Sequence, residues 1–180
     1  MNSAVLDACV LAPMPLCDTL LRCAEGTPLF LPLWSSETIL ELSRTLKKFG
    51  RSESQIERRL RFMQVTFPEA CLQVSTTDLN AVPDIPDPSD RHVIAAALKG
   101  RADVIVTFNL RHFPSSVLGL MGIAARSPDS FLVDLFRANP LRLLEILDQQ
   151  GEDIHQTRSA VIEGLRPELP EFAALVERWR

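Results

Sequence analysis

Tyrosine is absent from the 180 residues, and aromatic side chains make up only 6% of them, which limits the means of stacking a nucleobase. A basic surplus is missing too: 19 Lys and Arg stand against 23 Asp and Glu, for a formal net charge of −4. Composition therefore gives no sign of the broad basic face that marks many nucleic-acid binders. The four cysteines (Cys9, Cys17, Cys23 and Cys71) show no paired metal-ligand spacing. A chain of this length needs no disulfide staples, so a reduced, cytoplasmic setting is expected. No charge-free segment approaches the roughly 18 residues of a membrane span. No basic region precedes the first apolar run, which Asp7 interrupts, so a secretory signal is not expected. Internal repeats and low-complexity segments are also missing.

What is present is ordinary for a soluble domain: 46% apolar and 23% charged residues, enough to bury one real core. Ser3 to Val10 reads as a short apolar strand with Asp7 near its end. Pro13 and Pro15 precede a helix with Leu16, Leu20, Leu21 and Ala24 on one face, closed by Gly26. Leu29 to Trp34 reads as a second strand, and its Pro32 suggests an edge position or an early end. Ser35 or Ser36 caps a helix running to about Lys48. Ser52 starts a charged helix that Pro68 limits, and Cys71 to Val74 is a third strand. Alternation of strand and helix predicts an α/β fold around a mainly parallel sheet.

The pattern centres on residues 87–113. Asp87, Pro88 and Ser89 are turn and cap residues, and Asp90 stands where a helix begins. Val93, Ile94, Ala97 and Leu98 are spaced for one helix face, with Gly100 as its stop. Val104 to Val106 is a β-branched run suited to a strand buried on both faces. Thr107, Asn109, Arg111 and His112 follow at the strand end, the edge where open α/β sheets build sites. A fifth strand is expected around Gly122 to Ala125, then helices from Pro128, from Pro140, and over 154–165 and 170–180.

Asp7, Glu41, Asp90 and Asn109 thus occupy similar addresses, at strand ends and helix starts. Each has a plainer explanation: a solvent-facing strand end for Asp7, a solvated helix face for Glu41, capping for Asp87 and Asp90, and a turn for Asn109. Together they suggest more. Three carboxylates in one cleft repel unless a cation joins them, and hard ions such as Mg²⁺ or Mn²⁺ want such oxygen ligands. The natural use of that site is hydrolysis of a phosphodiester. With Asp7, Glu41, Asp87 and Asp90 set aside, the rest of the chain is formally neutral.

The chain resembles the PIN-domain ribonucleases, including the VapC-type toxins of toxin–antitoxin pairs. The resemblance rests on Val5-Leu-Asp7, Ser35 to Leu42, Asp87 to Ala97, Ile105 to Pro114 and Ser127 to Leu132. It implies a three-layer α/β/α sandwich, with a nuclease domain over 1–136 and a helical extension over 137–180 packed on the same domain. It maps Asp7, Glu41 and Asp90 to the acids that hold Mg²⁺ or Mn²⁺, with Asn109 where the family usually has a fourth acid. His112 stands where the subgroup tends to place Asp. Asp87 would reach the metal through water, and Thr107 would orient the site by its hydroxyl. Arg91, Arg111 and His112 are the RNA-contact candidates, chosen from a wider set that includes Arg22, Arg44, Lys47, Lys48, Arg51 and Arg101. Trp34 and Phe108 are expected in the core.

The expectation is a cytoplasmic Mg²⁺- or Mn²⁺-dependent endoribonuclease with an RNA substrate, an antitoxin partner, a homodimeric state and no membrane association. The alternative is a PIN fold weakened by Asn109 that binds RNA or protein without turnover. A phosphoacceptor site of the response-regulator kind ranks lower, since no lysine follows Val106 at the required place.

Overall fold

The computed structural model describes residues 3–179. Met1, Asn2 and Arg180, which the expected domain spans and last helix include, lie outside the described residues. Five strands form one sheet: β1 (Ser3–Leu6), β2 (Leu31–Ser35), β3 (Cys71–Leu72), β4 (Val104–Val106) and β5 (Ala124–Arg126). Their order is β3-β2-β1-β4-β5, and every pairing is parallel. The helices are α1 (Ala8–Leu11), α2 (Met14–Ala24), α3 (Ser36–Lys48), α4 (Glu53–Thr66), α5 (Thr76–Asn80), α6 (Arg91–Gly100), α7 (Ser115–Leu118), α8 (Pro128–Ala138), α9 (Pro140–Asp153), α10 (Arg158–Leu165) and α11 (Pro170–Arg178). Short 3₁₀ turns occupy Pro88–Asp90, Leu110–His112 and Gly119–Met121.

Alternation along the central strands makes the three layers. Ala4, Leu6 and Val106 face one core, which they share with α1–α4 and α8–α11. Val5 and Ile105, the intervening residues, face a second core with α6 and its neighbours. α9, α10 and α11 contribute Leu143, Leu147, Val161 and Phe172 to the first core, so the tail shares the hydrophobic cluster of the sheet. Polar contacts reinforce the junction. Thr19 Oγ1 on α2 donates to Gln150 Oε1 on α9 at 2.8 Å, and Asp129 on α8 accepts from the backbone N–H of Glu171 and Phe172 at the start of α11. Among the described residues no helix is long and apolar enough to cross a membrane. All four cysteines are free thiols.

The structure corrects several local expectations. The first strand ends at Leu6, not Val10, because the Asp7 carbonyl accepts from Val10 and Leu11 and starts the α1 turn. β2 begins at Leu31 and is not an edge strand. Pro32 is tolerated because Trp34, two residues on, directs its N–H toward the β3 side, bonding Ala70 O at 2.9 Å, so Pro32 nitrogen faces the same side before β3 has begun. β3 ends at Leu72 rather than Val74. β5 spans Ala124–Arg126 rather than 122–125, and Gly122 takes a positive φ just before it. The helix after Asp87 has Asp90 at its N-cap and ends at Gly100, as expected, but the glycine is not the left-handed cap. Arg101 takes the left-handed φ of 51°, while Gly100 is needed for close packing: a Cβ there would lie 2.5 Å from Leu33 Cδ1. The helix expected from 154 begins at Arg158, after His155 turns the chain with φ 56°.

Gly151 on α9 makes a similarly tight approach, now to backbone. A Cβ there would meet Gln156 O at 2.8 Å. Gly151→Ala should therefore destabilise the protein by about 1–3 kcal/mol, although alanine is the better helix former by ~1 kcal/mol. Urea unfolding checks this; unchanged or increased stability would count against the packing described.

Candidate active site

The chain steps outward from β1 through β2 to β3, then returns to β4 on the other side of β1. That reversal opens a crevice at the C-terminal ends of β1 and β4, where open parallel sheets bind ligands. The register Leu6↔Val106 sets Asp7 and Thr107 side by side just past that edge. Asp7 is 4% exposed, and a carboxylate so buried needs donors. Thr107 Oγ1 donates to Asp7 Oδ2 at 2.6 Å, and Cys9 Sγ donates to the same oxygen at 3.2 Å. Thr107 Oγ1 in turn accepts from the Asn109 N–H at 2.9 Å, and Thr107 N–H bonds Arg126 O on β5. One buried hydroxyl thus ties the ends of β1 and β4 to the Asn109 turn.

Glu41 comes from α3. Ser35, the last residue of β2, caps α3 by accepting from Thr38 N at 2.9 Å and also bonds His92 Nδ1 at 2.7 Å. With the Ser35 hydroxyl donating to Nδ1, His92 carries its proton on Nε2 and donates it to Glu41 Oε1 at 3.2 Å. Asp90 comes from the 3₁₀ turn ahead of α6, and its Oδ2 bonds His112 Nδ1 at 2.7 Å. Burial pushes the Asp90 carboxyl above its usual range; the His112 bond opposes this, and the charges of Asp7 and Asp87 add to it. Asp87 lies below the usual range because the Ser89 hydroxyl and backbone N–H both donate to it. Burial, followed by the Asp7 charge, pushes the Cys9 thiol up to about 12, so it is a neutral donor and not a nucleophilic thiolate.

Asp7, Glu41, Asp90 and Asn109 all line one cleft of about 400 Å³, joined by Arg44, Lys48 and Phe49 from α3 and its end. Asp87 and His112 lie beside it. Among the described residues Asp87, Asp90 and His112 offer ligand atoms within 4.8 Å of one another, and Asp7 and Glu41 stand outside that tighter group. The donor set suits a hard divalent cation on chemical grounds. Each acid spends one oxygen on its positioning partner and makes no hydrogen bond with the other: Asp7 Oδ1, Glu41 Oε2 and Asp90 Oδ1 remain free among the described residues. Carboxylate ligands oriented by outer-shell donors have this arrangement.

The basic candidates separate. Arg91 gives its guanidinium to the carbonyls of Leu79 and Val82, away from the acids, and Arg111 Nε donates to His112 Nε2 at 3.2 Å. Arg44 and Lys48, which received no emphasis from the sequence, line the acid cleft. Trp34 is buried as expected, but Phe108, two residues past the end of β4, is 40% exposed. Cys9 and His92 were not singled out by sequence reasoning. His92 carried a usable signal: a polar residue on an otherwise apolar helix face that must be satisfied when buried.

A family model described as PIN domain matches residues 3–111 of this chain. The chain belongs to the PIN-domain family. A curated Mycobacterium tuberculosis protein named "Putative ribonuclease VapC50" is 40% identical over 93 residues, 49% of this chain and 54% of that one. The PIN chain therefore spans about half the length of the curated relative it matches. No solved structure matches it.

The raised Asp90 pKa has a definite sign. Its charged form is disfavoured by folding, so its penalty on stability is full above the raised folded value and absent below the ordinary carboxylate pKa near 3.8. In metal-free buffer, Asp90→Asn should be more stable than wild type at pH 7, with the gain fading as pH falls below that value. Carboxyl ¹³C titration should place the Asp90 midpoint above 3.8; a midpoint at or below it would contradict the burial argument.

Proposed function

We propose that this PIN-domain protein is a metal-dependent endoribonuclease and the toxin of a toxin–antitoxin pair. The observation that carries the reading is the set of half-used carboxylates: Asp7, Glu41 and Asp90 share one cleft, each anchored through a single oxygen. Family membership and the likeness to a protein named as a ribonuclease support the reaction class. Asp7, Glu41 and Asp90 would hold Mg²⁺ or Mn²⁺, with the Asn109 amide oxygen completing the set and Asp87 reaching it through water. When bound, such an ion supplies charge stabilisation on the phosphoryl oxygens and lowers the pKa of nearby water.

The chain's own residues do the positioning. Thr107 and Cys9 fix Asp7, His92 fixes Glu41, and His112 fixes Asp90. Arg44 and Lys48 on the cleft wall neutralise phosphate charge. No covalent enzyme intermediate is needed. The resemblance to VapC-type toxins extends the reading to an antitoxin partner and a homodimer, acting in the cytoplasm.

Cleavage of single-stranded RNA should require Mn²⁺ or Mg²⁺ and stop with EDTA. Asp7→Asn and Asp90→Asn should each reduce it by ~100-fold or more, beyond the 10–100-fold typical of outer-shell changes. Full activity in either variant would remove the assignment, and RNA binding without turnover would favour the non-catalytic PIN module. His92→Ala should cost about 10–100-fold, mostly as weaker metal affinity that excess Mn²⁺ restores. A loss that Mn²⁺ leaves untouched would show that His92 does not act through Glu41.

A further inference from the structure

We propose that the groove between α2 and α4 carries single-stranded RNA leaving the acid cleft, with Arg51 and Arg58 on its phosphates and Phe62 as a stacking surface. The inference rests on the ribonuclease reading for the identity of the strand. The groove is a second cavity, of about 520 Å³, lined by Met14, Asp18 and Arg22 on successive turns of α2 and by Arg58, Arg59 and Phe62 on α4. Arg51, in the α3–α4 connection, lines it as well.

The groove adjoins the acid cleft: Arg59 in the groove donates to the carbonyl of Ala12, which lines the cleft. Pro13 lines the cleft and Met14 the groove; Phe49 lines the cleft and Arg51 the groove. A strand whose scissile phosphate lies between Asp7 and Lys48 would cross these two junctions to enter the groove.

Charge favours a polyanion. Four arginines line the groove of a protein whose net charge is −4, and its one carboxylate, Asp18, is already paired with Arg22 at 3.1 Å. Arg22 also bonds Asp153, and Arg59 donates to the carbonyls of Leu11 and Ala12, so these two are committed to structure. Arg51 and Arg58 are exposed and make no ion pair among the described residues.

The apolar lining favours bases over a duplex backbone. Phe49 at the cleft rim is 60% exposed and Phe62 in the groove is 51% exposed, although each is large enough to have been buried at a gain. Exposed aromatic side chains together with free guanidinium groups are the combination that holds unpaired nucleotides, because every base has a face to stack and every link a charge to neutralise. A double helix would hide its bases from Phe62.

The test measures RNA binding separately from cleavage. Anisotropy of a short labelled single-stranded RNA is followed in EDTA, over a range of salt, for wild type, the double variant Arg51→Glu/Arg58→Glu, Phe62→Ala and the control Arg137→Glu, an exposed position on α8. Circular dichroism checks that each variant is folded. The double variant should bind at least about tenfold more weakly, and its log–log salt slope should shrink by roughly 1.4, about 0.7 for each lost phosphate contact. Phe62→Ala should weaken binding about tenfold with the slope unchanged, and Arg137→Glu should match wild type.

Wild-type affinity and slope in the double variant would overturn the proposal. That would include the case where the same variant loses an acidic protein partner instead, which would make the groove a protein-docking surface. Groove-dependent RNA binding by a wild type that never cuts RNA supports the groove and removes only the nuclease reading. Metal-dependent cutting with indifferent groove variants removes only the groove.

Discussion

The hydrogen bond from Thr107 to Asp7 is the contact on which the rest of the site depends. It exists because β1 and β4 pair in parallel with Leu6 opposite Val106, which leaves residues 7 and 107 adjacent where both strands end. A one-residue slip would exchange the faces of every side chain on the strand, sending Asp7 into a core and a leucine into the crevice. The register is held by burial on both faces: Leu6 and Val106 on one side, Val5 and Ile105 on the other, all at 0% exposure. Hydrophobic packing therefore positions a carboxylate to within a hydrogen bond. The same hydroxyl accepts from Asn109, so the turn that completes the cleft is fixed by the bond that orders the first acid.

Bringing carboxylates together has a cost that the fold partly offsets and partly retains. Each acid has a dedicated neutral or ionisable donor, which satisfies one oxygen of a group that would otherwise be buried at a penalty of several kcal/mol. The compensation is incomplete. Asp90 remains above its ordinary pKa because burial and the neighbouring acids outweigh the His112 bond. A sequence under selection for stability alone would replace such a residue. At the head of α6 its carboxylate makes no capping bond to the backbone, and one oxygen stays free beside the one held by His112.

Much of this was legible in the chain. The parallel α/β order follows from the strand–helix alternation; Asp7 and Asn109 stand where apolar strand runs give way to polar residues, and Asp90 where turn and cap residues open a helix. What escaped reading was whatever depended on a neighbour distant in sequence. Nothing near Pro32 reveals that β3 begins too late to need its missing N–H. Gly100 resembles a helix stop from sequence, yet its smallness serves Leu33 and Leu72, and the left-handed turn falls on Arg101. Arg91 adjoins Asp90 in sequence but projects to the carbonyls of Leu79 and Val82, because successive helix positions point about 100° apart. Arg44, three residues after Glu41, shares its helix face and so enters the cleft. Helix geometry would have favoured Arg44 over Arg91 had Glu41 been used as the reference.

The C-terminal helices show how a segment with no candidate chemistry still shapes the working surface. Leu16, Leu20 and Leu21 on α2 face the core that α9 completes with Leu143 and Leu147. Thr19 and Gln150 form a buried pair at that junction, and both also donate to the Pro15 carbonyl at the start of α2. At the other end of α2, Arg22 is held between Asp18 and Asp153, the last residue of α9. The direction of α2 is thus set from the tail side. Because Met14, Asp18 and Arg22 form one wall of the arginine-lined groove, the tail fixes a surface it only touches at its rim. Residues beyond 136 thus meet the nuclease fold through a shared hydrophobic cluster and through α2, which faces both the core and the groove.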